Sequence, residues 1–303
     1  MHFGIFGGSF GDGTIDAAVA EAKAVEAAGF DSFWLPQIFG HDALTVLAVI
    51  ARDVPRIELG TSVVPTYPRH PMMLAQQALS VNAAAAGRLC LGIGLSHQIV
   101  VEGMWGQSFE KPVRHMREYL SVLMPLLESG TVGFDGEAFR VHGTVAVPGG
   151  TRPGVVVAAL GEQMLNVTAA LADGTLTWCT GPKTLASHTV PTLRAAAEAA
   201  GREQPRVVAA LPVCVTDDVA AAHDRAAAVL QVYGHLPSYR AMLDREGAAG
   251  PADIAFVGGE AEVEDRIRAL AGIGVTDFVA AEFPADADEA KRTRALLASI
   301  AAG

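Results

Sequence analysis

Residues 59–97 read LGTSVVPTYPRHPMMLAQQALSVNAAAAGRLCLGIGLSH. The apolar run Ile57–Pro65 gives way to a polar turn, and Pro71 falls where a first helical residue belongs. Its missing N–H is one that a helix leaves unbonded there, and its fixed φ suits the helix. The predicted helix carries Met72, Ala75, Leu79 and Ala83 on through to Gly87, which takes the left-handed conformation of a helix end without penalty. A second apolar run, Leu89–Leu95, ends in Ser96-His97. Strand, helix and strand in that order make a βαβ unit of a parallel sheet. The unit puts Ser62-Val63 and Ser96-His97 at the carboxyl ends of neighbouring strands, where parallel α/β folds build their sites.

Outward from this unit the pattern repeats. Apolar runs at Phe3–Phe6, Ser32–Leu35, Glu58–Val64, Leu89–Gly94, Val155–Ala159, Thr175–Cys179, Val207–Val215 and Asp277–Ala281 have the doubly buried character of parallel strands. Helical sequence lies between most of them. Thr14 is a candidate cap for a helix over Ile15–Ala28 ended by Gly29, and Asp42 for one over Ala43–Asp53. Further Ala-rich helix formers are Glu162–Ala172, Thr184–Ala200, Asp217–Tyr233 and Glu260–Ala271. The count predicts an α/β fold, a (β/α)8 TIM barrel occupying residues 1–303 as one domain. An open doubly wound sheet is the alternative. Two connections are too long for plain barrel loops. Residues 96–154 contain a helix, Pro112–Glu128, and a hairpin signalled by Asp135-Gly136. Residues 216–276 hold helices around the segment HLPSYRAMLDREGAAGPADIAFVGG. Both are expected as insertions at the carboxyl face that shape a pocket or a subunit contact.

Bulk properties narrow the function. A chain of 303 residues with net charge −11 and pI near 5.2 shows no basic patch, which argues against nucleic acid and anionic membrane surfaces as partners. Half the residues are hydrophobic, yet no uninterrupted apolar stretch reaches transmembrane length. MHFGIFGG lacks the basic and apolar regions of a signal peptide, so a cytoplasmic protein is expected. Cys90, Cys179 and Cys214 each sit inside an apolar run and read as small buried hydrophobes of a reducing compartment. No CxxC or HExxH spacing points to a metal.

Few residues announce chemistry by themselves. GIFGGSFGDG follows a strand but lacks GxGxxG spacing, so a loop at the barrel mouth is the simpler reading. The GxG of LGIGLS is weak for the same reason. In AALGEQML a strand passes into a helix at Gly161, whose free N–H groups and positive dipole end could receive a phosphate. An ordinary strand-to-helix turn explains the same letters, and Glu162 would repel an anion. His97 follows a strand end with Ser96 beside it, and could face a ligand or rest in a surface loop. His70 reads as a helix N-terminal residue. Gln37 could face the same pocket or stand in solvent, and Glu282 could approach a substrate or form a surface ion pair. Trp34 and Trp178 read as core.

With those residues in view, the chain resembles the bacterial luciferase-like superfamily, and within it the oxidoreductases that use the deazaflavin coenzyme F420. The matching blocks are DSFWLPQ, LGTSVVPTYPRHP, GRLCLGIGLSH, AALGEQML, LADGTLTWCTGP and AGIGVTDFVAAEF, in family order over nearly the whole chain. The resemblance implies a (β/α)8 barrel with a carboxyl-face insertion. It implies a non-prolyl cis peptide at Ser62–Val63, bulging against the deazaflavin ring. It also implies phosphate-tail contacts at Ala159, Leu160, Gly161 and Glu162, with Cys179 and Thr180 close by. His97 would face the ring, and Leu95, Ser96 and Gln37 are further expected cofactor contacts.

Relatives that oxidise sugars and alcohols carry an Asp-His pair after the second strand and a Glu after the fourth. Here those positions read Gln37-Ile38 and His97. Ile38 cannot accept a proton, which disfavours alcohol oxidation. The expectation is therefore a reductase of an activated C=C or C=N bond in a small organic substrate, with His97 as proton donor or cofactor contact, and a homodimer. The alternatives are an FMN-dependent monooxygenase of the same superfamily and a deazaflavin-binding protein without catalysis.

Overall fold

A computed structural model describes residues 1–8 and 13–303. The glycine-rich GIFGGSFGDG segment crosses residues 9–12, so the reading made of it lies partly outside the described residues. The strands are β1 (His2–Phe6), β2 (Ser32–Leu35), β3 (Glu58–Thr61), β4 (Val64–Pro65), β5 (Leu89–Gly94), β6 (Thr131–Asp135), β7 (Arg140–Thr144), β8 (Gly154–Val157), β9 (Gly174–Trp178), β10 (Arg206–Val215), β11 (Phe256–Gly258) and β12 (Asp277–Glu282). The helices are α1 (Ile15–Ala27), α2 (Ala43–Asp53), α3 (Pro71–Ala84), α4 (Gln98–Gly103), α5 (Pro112–Glu128), α6 (Glu162–Leu171), α7 (Pro182–Thr184), α8 (Val190–Ala199), α9 (Val219–His235), α10 (Pro237–Glu246), α11 (Glu260–Ile273) and α12 (Ala287–Ala302).

The ring runs β1-β2-β3-β5-β8-β9-β10-β12 and closes from β12 back to β1, every pair parallel. This is the eight-stranded closed barrel that the sequence predicts, and the open sheet is excluded. The capping chemistry is local. Thr14 accepts from the Ala17 N–H and Asp42 from the Thr45 N–H. His70 caps α3 by accepting from the Met72 N–H, with Pro71 next to it. Gly29 and Gly87, both at φ +86°, turn the chain out of α1 and α3.

Trp34 fills the barrel lumen. It is fully buried with Cys90, Val156, Leu176, Val208, Ala210 and Val279, residues of different strands that point inward. Its indole N–H donates to Ser32 Oγ at 2.9 Å. Gly60 makes room for it, since a Cβ there would stand 2.2 Å from the indole. At the amino ends of the strands Arg206 closes the lumen. Its guanidinium binds the carboxylates of Glu58 and Asp277 at 2.6–2.9 Å and lies over the Trp34 ring. The larger outer core lies between strands and helices.

Both long connections are insertions. The one after β5 carries α4, α5 and the hairpin β6–β7, where the Glu118 carboxylate accepts from the N–H groups of Glu137, Ala138 and Phe139 across the turn. The one after β10 carries α9, α10, a 3-10 turn at Pro251–Ile254, β11 and α11. β11 lies outside the ring because β10 is long enough for its last residues to take an extra partner, Val213 opposite Phe256. The helix expected over Thr184–Ala200 is present as α7 and α8 joined without a gap by a π turn, Leu185–Thr189. Pro191 has no N–H to give the carbonyl four residues back, so the regular ladder cannot run through. Among the described residues no helix is long and apolar enough to cross a membrane.

Candidate active site

The strand expected over Glu58–Val64 is interrupted. Between β3 and β4 the chain turns at Ser62–Val63, whose peptide bond is cis, as the family resemblance implies. Thr61 fixes the bend from below. Its hydroxyl donates to the Gly92 carbonyl and accepts the Gly92 N–H, both at 2.8 Å. The bend also explains the glycines of LGIG. A Cβ at Gly92 would strike the Thr61 carbonyl at 1.9 Å, and one at Gly94 would stand 2.6 Å from Val63. The GxG pair thus makes room for the bend. Val63, Phe6 and Trp178 pack on top of the lumen residues while remaining half-buried, and so form the floor of the mouth.

One wall is aromatic. Phe6 stacks on Trp178 at 5.4 Å, Trp178 meets Tyr233 edge-on at 5.9 Å, Tyr233 meets Tyr239 at 5.1 Å, and Tyr239 lies 5.8 Å from the His97 ring. Tyr233 and Tyr239 come from the insertion after β10, which thereby reaches across to the end of β5. His97 opens α4 without a side-chain cap bond. Burial lowers its imidazole below the ordinary value, and burial raises the phenols of both tyrosines. At neutral pH all three are uncharged. Ser96 beside His97 has φ +62° and Cys179 has φ +49°, two left-handed non-glycine residues at strand ends facing the mouth.

Between β5 and β9 the mouth is bordered by a helix end, the start of α6 after β8. Gly161 caps α6 with extended backbone and offers no side-chain acceptor, so the first N–H groups of α6 are free of a cap. A Cβ at Gly161 would meet nothing within 4 Å. His188 pins the approach, its Nε2 lying 2.9 Å from the Leu160 carbonyl. Glu162 is exposed.

Not every expected contact presents a side chain. Ala159, Cys179 and Thr180 are fully buried, with Ala159 and Cys179 in the outer core, so none of the three presents surface to a ligand in this conformation. Gln37 turns its amide to α2, accepting from the Ala43 N–H and donating to Asp42, which also binds Arg69. Glu282 accepts from Nε and Nη2, one edge of the Arg294 guanidinium, the ion-pair reading. Among the described residues no group of three or more His, Cys, Asp or Glu is arranged to hold a metal. Tyr233 and Tyr239 were not foreseen. The available signal was YGHLPSY, two aromatics flanking a helix break in an insertion at the carboxyl face.

The chain has relatives among known proteins. Residues 1–277 match the model of the luciferase-like monooxygenases. The chain is 30% identical over 258 residues to 5,10-methylenetetrahydromethanopterin reductase of Methanolobus tindarius, covering 84% of this chain and 78% of that protein. Its fold superposes on the coenzyme F420 dependent tetrahydromethanopterin reductase of Methanopyrus kandleri with TM-score 0.81 at 22% identity, covering 98% and 97% of the two chains. It also superposes on the oxygenating constituent of 3,6-diketocamphane monooxygenase of Pseudomonas putida, solved with FMN, with TM-score 0.77 at 16% identity, covering 99% and 96%. The chain belongs to the luciferase-like monooxygenase family, a family of enzymes.

Proposed function

We propose that this chain is an F420-dependent oxidoreductase, working as a reductase of an activated C=C or C=N bond in a small organic substrate. The observation that carries the reading is the uncapped start of α6 at Gly161, open and exposed, on the same mouth as the half-buried Val63 floor. A flat ring with a phosphate-bearing tail fits this pair of features. Free N–H groups with about half a positive charge receive the anion, and an apolar side chain supports the ring. Ser62 and Val63 would lie under the ring, Leu95, Ser96 and His97 along it, and Leu160, Gly161 and Glu162 around the phosphate, with the buried Ala159, Cys179 and Thr180 supporting that turn from behind.

The cofactor, when bound, supplies or accepts a hydride. The chain's own residues do the rest. Neutral His97 carries one N–H and one lone pair, so it can hold a proton at one ring nitrogen and direct it to a ligand atom. No carboxylate or imidazole follows Gln37. Ile38 stands there, 64% exposed, and has no lone pair with which to take a hydroxyl proton. That favours reduction over alcohol oxidation. The aromatic wall excludes water from the space above the floor.

Titration of the purified protein with F420 and with FMN, read by tryptophan quenching, tests this. Micromolar or tighter binding of F420 with much weaker FMN binding is expected. Binding of FMN alone, with oxygen uptake on reduction, would move the chain to the monooxygenases. F420 binding without turnover on any enone or imine would make it a carrier. A cytoplasmic homodimer remains the expectation, and light scattering of the purified chain reads its oligomeric part.

A further inference from the structure

We infer that the substrate of this mouth is an uncharged, planar, conjugated carbonyl compound, and that Tyr239 is the residue that selects it. The inference rests on the proposed cofactor reading, which assigns the Val63 side of the floor to the deazaflavin and leaves the Phe6–Trp178 side to the substrate.

The shape comes from the rings. Phe6 and Trp178 stack 19° from parallel and make a flat platform. Tyr233 stands at 73° to Trp178 and Tyr239 at 72° to Tyr233, so the wall presents edges and faces at right angles to that platform. A flat conjugated ligand lies on the first and meets the second edge-on, the two preferred aromatic geometries. All four rings, and His97, are half-buried, Phe6, Trp178 and His97 at strand ends and Tyr233 and Tyr239 on α9 and α10, so each retains surface that a ligand can cover.

The charge selection comes from what surrounds them. Arg294 is committed to Glu282 and Arg69 to Asp42. The Glu246 carboxylate is taken up by the N–H groups of Lys183 and Thr184. The aromatic wall itself offers only neutral donors: the imidazole, two phenols, and the Trp178 indole N–H. The last is buried and makes no well-formed hydrogen bond, although the Tyr233 hydroxyl is close. A carbonyl oxygen can accept from such groups without bringing in a charge, whereas an anion would leave water with no paired cation.

Calorimetric titration of the protein, alone and saturated with oxidised F420, with three probes separates the elements. The probes are trans-cinnamamide (flat, uncharged), trans-cinnamate (flat, anionic) and 3-phenylpropanamide (uncharged, saturated). Cinnamamide is expected to bind at least tenfold tighter than either of the others. Tyr239→Leu should weaken cinnamamide at least tenfold while F420 affinity moves less than threefold, and Tyr239→Phe should keep cinnamamide within threefold. Tyr233→Leu, expected to weaken cinnamamide severalfold, serves if Tyr239→Leu does not fold. Cinnamate binding as tightly as the amide, or 3-phenylpropanamide doing so, overturns the inference even if F420 binds well. Failure of F420 to bind overturns the cofactor reading instead, and the three probes on the protein alone still rank the substrate classes.

Discussion

The Glu246 carboxylate sits on the start of α7, accepting the Thr184 N–H at 2.7 Å and the Lys183 N–H at 3.1 Å. Thr184 answers by donating its hydroxyl to the Met242 carbonyl at 3.1 Å. A residue at the end of α10 thus caps the helix that follows β9, and Gly181 leaves the room, since a Cβ there would meet the carboxylate at 2.3–2.6 Å. This clasp holds the insertion that carries Tyr233 and Tyr239 over the mouth.

Glu246→Ala should therefore cost about 1–2 kcal/mol, the usual range for a lost anionic cap at a helix start. Tyr239 should become a fresh site of chymotrypsin cleavage in the folded protein. Glu246→Gln, which keeps one acceptor oxygen, should fall in between. An unchanged melting temperature and cleavage pattern for the alanine variant would refute the clasp.

Gly161→Asp separates folding from binding. The backbone at 161 is already extended, and the space beside it is open, so an aspartate can cap α6 without strain. Stability should rise by a few tenths of a kcal/mol, while F420 affinity should drop at least tenfold because the carboxylate occupies the anion's place. A variant that gains stability and binds F420 as before would remove Gly161 from the cofactor site.

Arg206→Met tests the closed end of the barrel. Asp277 is 1% exposed and shares the guanidinium with Glu58, so removing Arg206 strands two carboxylates. A loss of about 3–5 kcal/mol is expected from a broken buried pair, with cofactor affinity in the surviving folded protein unchanged. Chemical denaturation gives the first number and fluorescence titration the second. A loss below about 1 kcal/mol would mean the pair is as weakly coupled as a surface one.

His115 gives a pH signature. Burial between Thr66, Tyr67, Tyr119 and Phe139 lowers its imidazole to about 4, against an ordinary 6.5, with Thr66 Oγ1 3.1 Å from its Nε2. The unfolded chain then takes up the proton first as pH falls. His115 contributes its full stability above about pH 6.5 and loses it progressively down to about pH 4. The urea midpoint of the wild type should decline through that window more steeply than that of His115→Gln. Parallel profiles would show that His115 titrates as freely in the fold as outside it. His97 is shifted in the same direction by burial, so His97→Gln is the companion measurement.

Much of the barrel is legible in the chain because parallel strands are buried on both faces and read as continuous apolar runs. Ser32–Leu35 and Leu89–Gly94 appear at their expected bounds, and most of the others differ by a residue or so. The break after Thr61 is different. Nothing in the apolar pattern of TSVVP marks a bend, and only the family resemblance pointed to Ser62–Val63. The short elements β11 and α10 escaped because each is stabilised by distant partners, and α4 because its six residues are too few to show a period. β11 needs the overhanging end of β10, and α10 needs the start of α7. The same reason hid Tyr239 from view, since its neighbour His97 belongs to the other insertion. The bonds of Gln37 to Asp42 and the Ala43 N–H were equally hidden: a polar residue at a strand end shows its partners only when the helix it serves is in place.

Trp34 and Arg206 together stopper the barrel from the strands' amino side. The mouth is thereby a single doorway, shared by a ligand on the Val63 side and one on the Phe6–Trp178 side. In a chamber with one door the occupant nearer the opening hinders the exit of the other, and product-inhibition patterns would read which of the two that is.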